Sequence, residues 1–240
     1  MAMSRKPREE ISRIGAQLTS CNSLGLEIID IFVGPLQTHF RVHKKLLCTR
    51  SQYFERMFSS GFKEVIDSTI RMPEDDPDVF DMFVQWVYER RLDTADMTKH
   101  TPKSGPLGLR FKLYCFAEEI CLNDLMDYTI SSFMSNYTKH VKSASVHVMS
   151  LAYEGTSKGS KLRLFIAHEL VYILRTLGNS SFWPDKDLGW VMTKNEDLAV
   201  DVVSLLRSSS KDLENPARFS KYQYHVHANN HECLYKDNIP

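Results

Sequence analysis

Hydrophobic and polar positions alternate most regularly near residue 30, where the chain predicts two β-strands. Apolar side chains occupy every second position over residues 29–33, with Asp30 between two of them, and this period of two is typical of a strand that buries one face. Gly34-Pro35 then breaks the pattern. Phe40 and Val42 repeat the alternation. Two short strands around a turn predict a β-hairpin.

After the hairpin the pattern changes to the helical period. Leu46 and Leu47 begin a short helical segment, and a second helix follows it. A short strand over residues 69–72 ends at Pro73. Asp76-Pro77 is the strongest helix start in the chain, because Asp supplies an N-cap oxygen and Pro fits the first helical position. The helix is expected to bury one apolar stripe, which consists of Phe80, Phe83, Val84 and Val87.

From residue 109 onward the chain predicts helices and loops alone. Apolar residues at helical spacing predict helices over residues 109–120, 126–137, 146–152, 162–177 and 198–206. A polar loop is expected over 92–108, and Trp183 and Trp190 fall in a second loop-like region. Asn215-Pro216 is expected to end the folded part of the chain.

Together these elements predict an α+β protein in four segments. Residues 28–138 form a small three-strand region wrapped by about five helices, and residues 139–215 form an all-α C-terminal extension. For the N-terminal segment, residues 1–27, a short helix and a disordered tail both remain open. Residues 216–240 form a polar tail that holds His and Cys residues.

Composition is that of a soluble globular chain and narrows the classes of partner. The 240 residues are 42% hydrophobic and 25% charged, and the formal net charge is +0. A balanced charge argues against broad attraction to nucleic acid or to an anionic membrane. No apolar run approaches the length of a membrane span, and no secretory signal is evident. The five scattered Cys residues favour a reducing, intracellular environment.

A set of residues between positions 30 and 118 carries a family resemblance. The set is Asp30-Ile31-Phe32-Val33-Gly34, Phe40-Arg41-Val42-His43-Lys44, Leu46-Leu47, Ser51, Tyr53-Phe54, Met57-Phe58, Phe62-Lys63-Glu64, Phe83, Trp86-Val87-Tyr88 and Leu113-Tyr114-Cys115-Phe116-Ala117-Glu118. With it, residues 28–138 resemble a BTB/POZ domain. The helical extension and the terminal His/Cys segment resemble those of fungal single-BTB proteins.

The resemblance implies the BTB/POZ fold and a protein-interaction module without catalysis. Members of the family self-associate, act as substrate adaptors of cullin-3 ubiquitin ligases, or recruit transcriptional corepressors. Two functions therefore stay open for this chain. One is a cullin-3 substrate adaptor, and the other is a self-associating scaffold or transcription-linked regulator. Both imply protein partners, no direct binding of nucleic acid or membrane, and a location in the cytoplasm, the nucleus or both.

Two pairs of residues are candidate contact sites by the same resemblance. Phe62 and Glu64 match the apolar-x-acidic motif with which some BTB proteins contact cullin-3, and Phe62 packed on the core is the alternative. Asp30 and Lys44 occupy positions that form a charged pocket at the interface of some BTB dimers. A structural ion pair or solvated charges are the alternative there.

The tail offers the one possible metal site. His225 and His227 are two residues apart, and so are His231 and Cys233. Such spacing puts both side chains of a pair on one side of an extended strand, and four N and S donors suit zinc. The spacing fits none of the common zinc-finger patterns, so a polar, His-rich tail without metal is the alternative, and no other cofactor is expected.

Catalysis has little support in the sequence. Cys48 and Cys115 lie on apolar stripes, where burial raises the thiol pKa and suppresses reactivity. Gly-rich phosphate loops and the common hydrolase motifs are absent. We therefore expect a protein that is not an enzyme.

Overall fold

The computed structural model describes residues 24–59, 69–92, 105–140, 144–176, 183–208 and 215–227. Most of the N-terminal segment lies outside these residues, as do Phe62, Glu64, His231 and Cys233. The chain divides into two compact units, Met1–Pro77 and Asp78–Pro240. The units are described one at a time below.

A three-stranded sheet forms the centre of the first unit. β1 (Ile28–Val33) lies between β2 (Thr38–His43) and β3 (Thr69–Met72), antiparallel to β2 and parallel to β3. Along β1 the odd-numbered residues are buried and the even-numbered ones are not, so the alternation predicted from the sequence is confirmed. Gly34 has a positive φ of 75° in the hairpin turn and donates its N–H to the carbonyl of Met72, which ties the turn to the end of β3.

Two short helices connect β2 to the region before β3. They are α1 (Lys44–Arg50) and α2 (Gln52–Ser59). Leu46, Leu47 and Phe54 are their buried residues. Burying each such side chain contributes about 1.5–3 kcal/mol relative to leaving it exposed, so these three side chains fix the helices in place.

The second unit is helical in all of its described residues apart from turns and connections. Its α-helices are α3 (Pro77–Glu89), α4 (Gly105–Glu119), α5 (Asn123–His140), α6 (Val146–Glu154), α7 (Lys161–Thr176), α8 (Asp185–Lys194) and α9 (Glu196–Ser208). Two 3-10 helices follow, Pro216–Arg218 and Lys221–Tyr224. With the sheet of the first unit, this confirms the predicted α+β class and helical C-terminal region. None of the described helices is long and apolar enough to span a bilayer.

The start of α3 follows the predicted signal, and its end is held by one arginine. The helix begins at Pro77, and Val79, Phe80, Phe83, Trp86 and Val87 are its buried residues. Arg90, with a φ of 57°, places its guanidinium 4.3 Å from the centre of the Trp86 ring. The same group donates to Asp124 at 2.9 Å, so it links the end of α3 to the start of α5.

Glu118 fixes the connection that leads into α7. Its Oε1 accepts hydrogen bonds from the backbone N–H and the hydroxyl of Ser157 at 2.8 and 2.6 Å. Its Oε2 accepts from the hydroxyl of Ser160 at 2.6 Å. Because Ser160 directly precedes α7, this carboxylate on α4 sets where α7 begins.

Three predictions about the chain after residue 92 are wrong in detail. Residues 105–108, predicted as the end of a loop, belong to α4, which begins at Gly105, because proline is tolerated in a first helical turn. Trp190 lies in α8 rather than in a loop. On α9, the apolar spacing over residues 198–206 predicts one buried face. Leu198 and Val202 are buried, but Leu206 is 39% exposed.

The fold also continues beyond Asn215-Pro216, where the sequence predicts that it ends. Residues 215–227 contact α5 and α7, and Tyr224 and His225 are 0% and 3% exposed. The Tyr224 ring packs edge-on against the Phe165 ring, with 5.3 Å between the ring centres. The Tyr224 hydroxyl lies 2.9 Å from His168 Nδ1. The buried Tyr224 side chain therefore anchors this segment on α7.

Candidate functional sites

His225 and His227 meet an aspartate that the sequence analysis did not identify. Asp127 lies on α5, and its side chain is 5% exposed. Its Oδ2 is 2.5 Å from His227 Nδ1, and its Oδ1 accepts the N–H of Val226 at 2.6 Å. The carboxylate therefore holds both the backbone and a side chain of the C-terminal segment.

His225 lies in the same cluster. Its Nε2 is 2.7 Å from the hydroxyl of Ser131, which lies one helical turn after Asp127 on the same face of α5. The centres of the His225 and His227 rings are 5.0 Å apart. One ligand-type atom from each of Asp127, His225 and His227 lies within 4.8 Å of the other two. We call these three residues the Asp–His–His cluster.

The extended backbone at His225 explains why both rings point to one helix. His225 has a φ of −84° and a ψ of 150°, and in extended chain the side chains at i and i+2 project to the same side. The sequence spacing therefore predicted the pairing of His225 with His227. It gave no information on Asp127, which lies 100 residues before His227.

Asp30 and Lys44 take part in separate ion pairs. Asp30 Oδ1 is 2.6 Å from His39 Nε2 and 3.4 Å from Arg41 Nε. Lys44 Nζ donates to Glu27 Oε1 at 2.8 Å. The Asp30 side chain is 37% exposed and that of Lys44 is 27% exposed, so both are partly open to solvent. Their role in a dimer pocket stays a prediction.

Phe62 and Glu64 lie outside the described residues, in the connection between α2 and β3. Their role as a cullin contact therefore rests on the sequence motif. His231 and Cys233 also lie outside the described residues.

An apolar strip on α9 faces solvent. Val200 is 60% exposed, Val203 49% and Leu206 39%. Val200, Val203 and Arg207 line a shallow depression on this helix. Successive positions three and four apart share one face of a helix, so these side chains form a continuous surface, which we call the α9 strip.

The cysteines of the described residues are poor nucleophiles where they are buried. Burial raises the pKa of Cys115 to about 12, with a smaller contribution from the nearby carboxylate of Glu118. Burial also raises the pKa of Cys48. Because the thiolate is the reactive form, both side chains remain unreactive thiols near neutral pH.

Comparison with protein families identifies a domain in the N-terminal part of the chain. Residues 23–104 match the family model described as BTB/POZ domain. The matched range includes the sheet, α1, α2 and α3, and it stops one residue before α4.

Proposed function

The chain contains a BTB/POZ domain, which is a protein–protein interaction module, and from this premise we propose that it acts as a non-catalytic adaptor. The adaptor would bind one partner through the BTB domain and present a second protein through its helical extension. The match over residues 23–104 is the observation that carries the proposal. The unreactive Cys48 and Cys115 thiols support the non-catalytic part of it.

We propose cullin-3 as the partner of the BTB domain. The support is Phe62-Lys63-Glu64, which places an aromatic side chain two residues before a carboxylate. Aromatic anchors that fill a pocket on the partner are common at interface hot spots. A cullin-3 complex would place the protein in the cytoplasm, the nucleus or both.

Pull-down with purified cullin-3 N-terminal domain tests this partner. The full chain is expected to retain the cullin domain, and Phe62→Ala combined with Glu64→Ala is expected to abolish retention. The matched control combines Leu36→Ala with Glu74→Ala. This pair likewise removes one apolar side chain and one carboxylate from the first unit, and both control side chains are exposed. Absence of binding by the unmodified chain, or retention by the Phe62/Glu64 variant, would rule out the ligase role.

The α9 strip supports the second half of the adaptor proposal. Val200 and Val203 are both about half exposed or more, and exposed apolar side chains that lie together on one face are typical of protein-binding surfaces. Substitution of both by Asp should leave folding intact while releasing a protein client. The assignment of the strip to a client rests on the proposed adaptor function.

Self-association is the second candidate function, and exposed apolar residues at β1 favour it. Leu26 is 92% exposed and Ile28 is 39% exposed, and they precede Asp30 by four and two residues in the chain. A second copy of the chain would cover such residues in a scaffold or transcription-linked regulator.

Light scattering separates this alternative from a monomeric adaptor. Self-association predicts a mass of about twice 27.8 kDa, and Leu26→Asp with Ile28→Asp should return the mass to that of one chain. Leu36→Asp, at an exposed position in the hairpin turn, is the control. A monomer at every concentration would exclude the scaffold function.

A further inference from the structure

We propose that Asp127, His225 and His227 bind one Zn²⁺ ion and that this ion fastens the C-terminal segment to α5. The three side chains come from two parts of the chain that are about 100 residues apart, yet their ligand-type atoms lie within 4.8 Å of one another. The inference is independent of the adaptor function.

The donor set suits zinc. Zn²⁺ is commonly bound by imidazole nitrogens together with a carboxylate oxygen, and three protein ligands are sufficient when water or a further side chain takes the fourth position. Two imidazoles and one carboxylate are the donors that the Asp–His–His cluster supplies. Calcium and magnesium prefer oxygen ligands throughout, so the two histidines favour a transition metal.

The burial of Asp127 favours a cation at this place. Its carboxylate is 5% exposed, and a buried charge is costly unless it is paired. Its partners include the backbone N–H groups of Val226 and His227 and the imidazole of His227. A zinc ion would add a full positive charge beside this carboxylate, next to these three hydrogen-bond donors.

The surroundings of His225 resemble those of a metal ligand. Its ring is 3% exposed, and one ring nitrogen lies 2.7 Å from the hydroxyl of Ser131. Hydrogen bonds of this kind orient the imidazoles that bind metals and fix their tautomers. Two adjacent turns of α5 therefore contact the histidines, with Asp127 at His227 and Ser131 at His225.

The chain beyond the cluster contains further donors. His231 and Cys233 follow His227 by four and six residues and lie outside the described residues. Their participation remains a sequence-based prediction, and the proposal rests on the three described ligands.

Metal analysis of the full chain tests the proposal. The protein is prepared in metal-free buffer, its zinc content is measured, and the chelator-stripped chain is titrated with Co²⁺ while its visible absorption is followed. The expected result is one equivalent of metal, visible Co²⁺ bands that Zn²⁺ displaces, and a melting temperature that rises when zinc is added.

Substitutions then assign the ligands. His227→Asn and Asp127→Asn should each weaken zinc binding by at least about 100-fold, more than the loss of an outer hydrogen bond does. The matched controls are Asp124→Asn, on the same helix, and His147→Ala, an exposed histidine; both should retain full affinity. Because Asp127 also accepts backbone hydrogen bonds, circular dichroism checks the fold of its variant, and His227→Asn carries the test if that variant unfolds.

Two results would overturn the proposal. One is an unmodified chain that binds no zinc, which would leave the cluster as a hydrogen-bonded clasp alone. The other is zinc that binds the His227→Asn and control variants equally, which would mark the ion as adventitious.

Discussion

At the scale of single residues, close packing should make a side chain unfavourable at Gly155, whereas Gly189 has space for one. A Cβ on Gly155, at the end of α6, would lie 2.8 Å from the sulfur of Cys115 and 3.2 Å from the carbonyl of Leu151. A Cβ on Gly189, inside α8, would meet nothing within 4 Å. The same chemical change therefore has opposite expected effects at the two positions.

We predict that Gly155→Ala destabilises the protein by about 1–3 kcal/mol through overpacking. Gly189→Ala should stabilise it by up to about 1 kcal/mol, because alanine has the higher helix propensity. Urea denaturation of both variants measures the difference. Equal free energies of unfolding for the two variants would contradict the packing described for α6.

The cysteines give a pH-dependent prediction. Cys121 is exposed, whereas burial raises the pKa of Cys115 from 9.0 to about 12. At pH 8, iodoacetamide should therefore modify Cys121 in the native protein and leave Cys115 unmodified, while both react in guanidinium. Peptide mass mapping reads the result, and rapid native labelling of Cys115 would contradict the assigned burial.

The raised pKa of Cys115 also predicts how the stability of the protein changes with pH. The unfolded chain loses the Cys115 proton as the pH rises through 9, whereas the folded protein keeps it until about 12. The contribution of Cys115 to stability is therefore complete below pH 9 and decreases between pH 9 and 12.

The limit of sequence reasoning is also clearest at single residues. The two-residue spacing of His225 and His227 was enough to pair them. Asp127 carries no such signal, because a polar residue within a helix of mixed composition looks the same whether it faces solvent or a partner 100 residues away.

At the scale of elements, Arg163 is the residue that connects α6, α7 and α9. Its side chain is 11% exposed and donates to Asp197 at 2.9 Å and to the carbonyl of Tyr153 at 2.7 Å. It also donates to the carbonyl and hydroxyl oxygens of Thr156. The hydrogen bond from Arg163, with a second one from Lys158, lowers the pKa of the Asp197 carboxyl.

We predict that Arg163→Met destabilises the protein by about 2–3 kcal/mol, because it leaves buried carbonyl groups without donors. Asp197→Asn should have a smaller effect, since the carboxylate is about half exposed and water can replace its partner. Thermal denaturation compares the two variants. A larger loss for Asp197→Asn would show that the ion pair, rather than the carbonyl contacts, holds these helices together.

The buried Tyr224 side chain should hold the C-terminal segment, residues 215–227, in place. Tyr224→Ala should destabilise the protein by about 3 kcal/mol, as for other buried aromatic residues. The control is Tyr222→Ala, which removes a tyrosine that is 38% exposed and should change stability by about 0.5 kcal/mol or less. Chemical denaturation measures both, and equal effects would contradict the docking of residues 215–227.

Elements with strong periodicity were predictable, and elements held by a few contacts were not. The strands and α3 have regular apolar spacing with clear turn or cap residues. In α8, only Leu188 and Val191 are buried, and Gly189 and several charged residues obscure the pattern. The C-terminal segment is held by Tyr224 and by Asp127, which lies about 100 residues earlier in the chain, and periodicity cannot detect such contacts.

At the scale of the whole chain, the family match and the compact units have different boundaries. The family match covers residues 23–104, whereas the first compact unit ends at Pro77. The domain bounds predicted from the sequence, with a BTB/POZ domain over 28–138 and an extension over 139–215, stay a prediction. The α+β class was predictable because apolar residues recur every second position near residue 30, whereas most of the later chain has the helical spacing of about 3.6 residues.

The adaptor account requires that the two proposed surfaces act independently. The proposed cullin contact is the Phe62-Lys63-Glu64 motif in the first unit, and the α9 strip lies in the helical extension. Substitutions in one surface should therefore leave binding at the other unchanged. The affinity of each surface for its partner should change little with salt concentration where apolar side chains provide most of the contact.

Calorimetric titration of purified cullin-3 N-terminal domain into the full chain tests the central claim most directly. We predict saturable one-to-one binding, a loss of affinity of at least about tenfold, or 1.4 kcal/mol, for Phe62→Ala with Glu64→Ala, and unchanged affinity for Val200→Asp with Val203→Asp. No detectable binding by the unmodified chain, or equal affinity for all three proteins, would contradict the account.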